Sequence, residues 1–185
     1  SVEAGLKMDK TLTAISSTAF DIQRYTPFDQ AQIVNLEKEL IKSGARVSQV
    51  VGKNGAAAAA AALAAYEKLD PVATGEDLVA IATPFNVQGD QFMALANQAA
   101  AAASASTASF SSIKEGAKYA AGSMAGLGRD TKEMFALLAT LDMQGLSGSM
   151  GGTSLNAFFS QAVKLDVLKD AKGNLKSTTE IIDIL

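Results

Sequence analysis

Between Gly145 and Phe159 the chain reads GLSGSMGGTSLNAFF. Gly148, Ser149, Gly151, Gly152 and Thr153 are residue types from which phosphate-binding loops are made, because glycines leave backbone N–H groups open to an anion at a helix start. The lysine that a P-loop requires is missing, and the preceding element reads as a helix rather than the strand of a dinucleotide fold. The stretch therefore predicts a flexible turn between helices, with Thr153 and Ser154 capping the helix that runs toward Leu155, Phe158 and Phe159. Asp166, Asp170 and Asn174 form a second set of oxygen ligands at four-residue spacing, without the alternation or the terminal Glu of a calcium loop. Turn chemistry accounts for them. Asp70, Glu76 and Asp77 could pair as carboxylates, but an acid before proline and acids in a first helical turn are ordinary stabilising choices.

Whole classes of chemistry are excluded by residue type. The 185 residues include no cysteine and no histidine, which removes disulfides, thiolate zinc sites, imidazole bases and thiol nucleophiles together. No nucleophile, base and orienting group can be assembled, so the expectation is a protein that is not an enzyme and uses no cofactor or metal. Net charge is −3, and no run of Lys or Arg could neutralise several phosphates, which argues against specific nucleic-acid binding. Apolar residues make up 48% of the chain but aromatics only 6%, and alanine supplies much of the difference. Burial stabilises by about 25 cal/mol per Å² of apolar surface, so such a core is thin.

The elements that must position these residues are short helices. Ser1 to Tyr25 mixes apolar positions with Ser and Thr and leaves the structure of an N-terminal leader or helix, residues 1–26, open. Asp29 and Gln32 form a capping-box pattern ahead of Ile33, Leu36, Leu40 and Ile41, with Gly44 as terminator. Ala56 to Ala62 are seven consecutive alanines whose propensity alone makes a helix, stopped at Asp70-Pro71. Thr74 and Asp77 open the next helix, which Pro84 kinks or ends at Thr83. Further helices start near Gly89 or Asp90, near Ser109 or Ser111, and at Arg129-Asp130-Thr131. The last of these carries Met134, Phe135, Leu138 and Leu141. Phe135, Leu138, Phe158 and Phe159 are the expected core or interface anchors. Val167 to Leu175 reads as a small hairpin or tight loop, and Ser177 or Thr178 caps a final helix. The predicted fold is all-α: one multi-helix bundle of short alanine-rich helices with glycine hinges, a helical core over 27–163 and a terminal segment over 164–185. A start at Ser-Val and a stop at Leu185 inside a helical pattern are what a piece of a longer chain would show.

The same turn carries a resemblance. Gly145, Gly148, Gly152, Thr153 and Leu155 match the GxxGsxxGTxL signature in the core region of phage tail tape-measure proteins, and Asp170, Gly173 and Asn174 match the short turn that follows it there. The likeness extends over most of Phe28 to Leu185, through Leu36 to Gly44, the GEDL segment and the Ser/Thr-punctuated helix pair. Asn156 stands where such sequences often have Arg, and Leu165-Asp166 replaces a glycine-containing turn. The resemblance implies a structural protein of a phage or prophage tail that sets tail length during assembly and leaves the tail at genome delivery. It implies self-association and partners among the tail tube, the tail assembly chaperones and the baseplate or tail-tip proteins. It places the protein in the virion tail, and in the bacterial cytoplasm during assembly. The rival reading is a membrane-active or pore-forming delivery module, because small residues allow close helix approach in lipid, as they do in water. Gln91 to Ile113 and Met143 to Val163 are uncharged, but polar clusters and the glycine turn interrupt them short of the roughly 20 apolar residues a span needs. Membrane contact is left to the parent protein.

Overall fold

The computed structural model describes residues 2–185, and among these it contains ten α-helices, two single turns of 3₁₀-helix and no strand. The chain is all-α, as its patterning predicts. It divides into two compact units, residues 1–101 and 102–185. That division corrects the expectation of one helical body. The expected boundaries at 26 and 163 fall inside these units, at the turn after the first helix and at the end of the ninth.

Unit 1 begins with α1 (Val2–Ile22), a helix that the mixed composition left open. Only its last turns are covered: Ala19 and Ile22 are buried, whereas Met8 and Leu12 on the same stripe are exposed. α2 (Gln30–Lys42) has the expected capping box, with Asp29 Oδ1 accepting from the Gln32 amide at 2.8 Å and Gln32 Oε1 accepting from the Asp29 amide at 2.9 Å. Gly44, at φ +105°, closes it. The Ala45 amide reaches Leu40 O and the Gly44 amide reaches Ile41 O, the paired bonds that satisfy the last carbonyls of a helix.

After the single turn α3 (Val47–Val50), α4 (Ala56–Glu67) explains the alanine run. Ala56 to Ala61 are six consecutive residues with zero exposure, so every face of the first half of this helix is covered. Alanine is what such a position requires, because small side chains let neighbouring helices approach from all sides. α5 (Pro71–Ala82) corrects the expected start at Thr74. Its N-cap is Asp70, whose Oδ1 accepts from the Ala73 amide at 2.8 Å. Pro71 takes the first helical position, where its missing N–H costs nothing. A 3₁₀ turn at Gly89–Gln91 leads into α6 (Phe92–Ala105).

Unit 2 holds α7 (Phe110–Gly126), α8 (Thr131–Met143), α9 (Gly148–Ala162) and α10 (Thr178–Ile184). Ser109 and Asp130 cap α7 and α8 with their side chains. The expected hairpin is a loop with a single antiparallel bridge between Lys169 and Leu175, preceded by a 3₁₀ turn at Asp166–Leu168. Gly173, at φ +81°, supplies its reversal. The loop is too short and too polar to extend the bridge into a ladder. α10 starts on a capping box between Ser177 and Glu180, and the Ser177 hydroxyl and amide hold the Glu180 carboxyl below its usual range.

Candidate functional site

The glycine-rich stretch is resolved into two parts with different jobs. Its first part is the α8–α9 turn. Gly145 takes φ +85°, its amide reaches Asp142 O at 2.9 Å, and the Leu146 amide reaches Leu141 O at 2.9 Å. This is the same closure that Gly44 gives α2. Beneath it lies Asp142, only 5% exposed. Its Oδ1 accepts from Ser147 Oγ at 2.5 Å and its Oδ2 from Thr107 Oγ1 at 3.1 Å, so the turn is tied down from both sides. Asp142 was missed in the sequence because a lone acid near a helix C-terminus carries no spacing signal.

The second part overturns the expected hinge. α9 begins at Gly148, not at Thr153 and Ser154, so Gly151, Gly152, Thr153 and Leu155 all lie inside a helix. Ser147 holds the N-cap position without capping by its side chain, which is committed to Asp142. The Gly148 amide, at the first helical residue, donates instead to Ser112 Oγ on α7 at 2.8 Å. Gly151 and Gly152 are buried, and Thr153 is exposed. A Cβ built on Gly152 would lie 2.2 Å from Gly116 O and 2.8 Å from Tyr119 Cβ; one on Gly116 would lie 3.0 Å from Gly148 O and 2.8 Å from Leu138 Cδ2. Gly116 and Gly152 are thus the two sides of a backbone-to-backbone crossing of α7 and α9. The glycines are there for close approach, and only Gly145 and Gly148, both at positive φ, are there for conformational freedom.

Leu155, Phe159, Phe135 and Leu138 are buried around this crossing in unit 2, while Phe158 is 38% exposed and meets Phe159 edge-on at 5.1 Å between ring centroids. Of its two expected roles, core or interface anchor, Phe158 does not have the first. Phe159 has a second partner that the sequence did not signal. The Arg129 guanidinium lies over its ring, 5.4 Å from the centroid. Arg129 Nη2 donates to Lys176 O and Nη1 to Glu133 Oε1 at 3.5 Å; the same Glu133 oxygen accepts from Thr178 Oγ1. Three elements meet at this one side chain: the start of α8, the end of α9 and the strap that leads into α10. Behind the strap, Ala162, Leu168 and Ile181 form a small apolar cluster with Leu175 against it.

Arg129→Met keeps the volume and the contact with the ring but loses the hydrogen bonds, leaving Lys176 O and Glu133 without their cation. We expect a loss of ~2 kcal/mol, from the usual worth of hydrogen bonds to a charged group. Limited proteolysis should then cut first between residues 164 and 177, and unchanged cleavage there would show that the clamp does not hold the strap.

The aspartates of the same region are taken up in local hydrogen bonds. Asp170 Oδ1 accepts from the Lys172 amide at 2.8 Å and from the Asn174 amide at 2.9 Å, and Asp166 Oδ1 accepts from Lys169 Nζ at 2.8 Å. In unit 1, Asp70 is the cap of α5, Glu76 is exposed and Asp77 is buried, so the three acids do not form a carboxylate pair site. The site that the geometry does define is a packing site.

A tight glycine crossing, three glycine-terminated helices and a D-xx-GN turn follow one another along the chain, and residues 4–185 match the family of phage-related minor tail proteins. The chain belongs to that family. No curated protein and no solved structure matches it. The phage-related minor tail protein family makes this a structural protein of the phage tail, and the virion tail is its place. Among its described residues no helix is long and apolar enough to cross a membrane.

Proposed function

We propose that this minor tail protein is a segment of a tape-measure protein, which sets tail length during assembly and is released at genome delivery. The observation that carries this reading is the GxxGsxxGTxL signature, Gly145 to Leu155, within a chain that matches the minor tail family over nearly its whole length. Within that signature Gly145 closes a helix and Gly152 makes a helix crossing with Gly116, and a protein whose task is assembly depends on such packing rather than on catalysis. Its partners are other copies of the chain, the tail tube, the assembly chaperones and the baseplate or tail-tip proteins, met in the bacterial cytoplasm before the tail is complete.

Length setting constrains the mechanics. Compact units the size of 1–101 and 102–185 each have a radius of gyration of roughly 12–13 Å, whereas the 185 residues in one continuous helix extend roughly 280 Å. The segment measures length only if its helices align along the tube, which the thin alanine packing of unit 1 permits at small cost in buried apolar area. In-frame removal of residues 102–185 from the parent gene is expected to shorten tails by up to about 130 Å, at 1.5 Å per helical residue, or to abolish them. Tail lengths read by negative-stain microscopy decide the matter, and normal tails of unchanged length would remove the length-setting role from this segment.

A further inference from the structure

Glu37 is an acid of unit 1 that is wholly buried with no partner for its carboxylate. It lies on α2 between Leu36 and one turn from Leu40 and Ile33, with zero exposure, and neither of its carboxylate oxygens has a hydrogen-bond partner. Leu36 and Leu40 belong to the point where three helices meet: a Cβ built on Gly75 of α5 would fall 2.8 Å from Leu40 Cδ2, 3.1 Å from Ala60 Cβ and 3.2 Å from Leu36 Cδ1. A buried, unpaired carboxylate costs several kcal/mol, and the group stays neutral to avoid it.

On its own helix Lys38 and Lys42 are exposed, as are Arg24 and Arg46 in the flanking turns, and neither carboxylate oxygen is paired with any of them. The elements packed on α2 are α1, α3, α4 and α5. On α1, Glu3, Lys7, Asp9, Lys10 and Asp21 are all exposed, and α3 has no titratable group. On α4, Tyr66 is exposed and Glu67 half-buried; on α5, Glu76 is exposed and Asp77, buried, is another acid. Burial is the cause that pushes the Glu37 carboxyl up, to about 8.

We propose that unit 1 carries a pH-operated opening device, in which Glu37 is held neutral while the unit is closed and its ionisation parts α2 from α4 and α5. The proton passes to water as the carboxyl meets solvent. Parting is easy on the α4 side because that surface is alanine, which loses little apolar burial when a neighbour leaves. The device is independent of any role in setting tail length.

Hydrogen exchange of the full chain, wild type against Glu37→Gln, tests it from pH 5 to pH 9. The ratio of the two rates cancels the intrinsic pH dependence of exchange. For amides of α2 and α4 the ratio is expected to rise by about tenfold per pH unit to near pH 8 and then level off, because opening releases one proton. Amides of α7 and α9 are expected to show a flat ratio. A flat ratio in α2 and α4, or an equal rise in both units, would overturn the proposal. Glu37→Leu, which removes the charge with a different shape, must reproduce the Gln result; a Leu variant that keeps the wild-type pH dependence overturns it as well.

Discussion

Gly152→Ala is expected to destabilise unit 2 by ~3 kcal/mol or more. The added Cβ would fall 2.2 Å from Gly116 O and 2.8 Å from Tyr119 Cβ. Real Cβ atoms do not come so close to backbone, and neither neighbour is the free end of a flexible side chain. α7 and α9 must move apart, and separation strips contact from Leu138, Leu155 and Phe159 along the same seam. Overpacking of a core costs about 1–3 kcal/mol when side chains can adjust; here they cannot, so the effect lies at or above the top of that range. Gly122→Ala, on the same α7, is the control. Nothing lies within 4 Å of its Cβ, and its φ is not positive, so alanine there should be neutral or stabilise by about 0.5–1 kcal/mol through helix propensity. Urea denaturation of both variants, followed by circular dichroism, measures the contrast. Equal effects of the two substitutions would show that the crossing does not limit stability. The same reasoning makes Gly116→Ala costly, with 3.0 Å to Gly148 O as the hard contact.

Glu37→Gln is expected to stabilise unit 1, and the size of the gain depends on pH. The folded carboxyl is raised to about 8 from an ordinary value of 4.5. Below pH 4.5 it is neutral in both folded and unfolded chains, and the substitution changes little. Between 4.5 and 8 the unfolded chain ionises while the folded one keeps its proton, so wild-type stability falls as pH rises; above 8 both are ionised and the loss is complete. At 1.36 kcal/mol per pH unit, the gain from Gln is ~3 kcal/mol at pH 7 and approaches ~5 kcal/mol above pH 8. The amide of Gln is itself buried without a partner, which offsets part of this. Denaturant midpoints of the two proteins at pH 4, 7 and 9 give the comparison, and parallel curves at all three would mean that Glu37 is solvated in the folded chain.

Helix positions were legible where the signal is local. Asp29 with Gln32, Ser109, Asp130 and Ser177 each cap a helix through a bond spanning three residues, and Gly44, Gly128 and Gly145 each close one at positive φ. Such contacts need only the neighbouring sequence. α1 was not legible, because its apolar stripe is diluted by Ser and Thr and only its last turns are packed. The start of α5 was missed for a different reason: Asp70-Pro71 can stop one helix and begin another, and the sequence shows only that a boundary is there.

The glycine-rich stretch marks the limit of sequence reading most clearly. Sequence by itself determined that this stretch ends a helix, that it lacks the lysine of a P-loop, and that the chain is all-helical, each from residue types and short spacings; the tail-protein pattern entered as a family resemblance. Whether Gly151 and Gly152 bend or pack was open, since glycine serves both purposes. Tertiary structure decided it by bringing Gly116, 36 positions earlier in the chain, against Gly152. Glu37 belongs to the same class: on its own helix it is one more acid in a polar pattern, and only the helices around it make it a buried one. Local hydrogen bonding is written in adjacent residues, whereas close approach and desolvation depend on which distant surfaces meet.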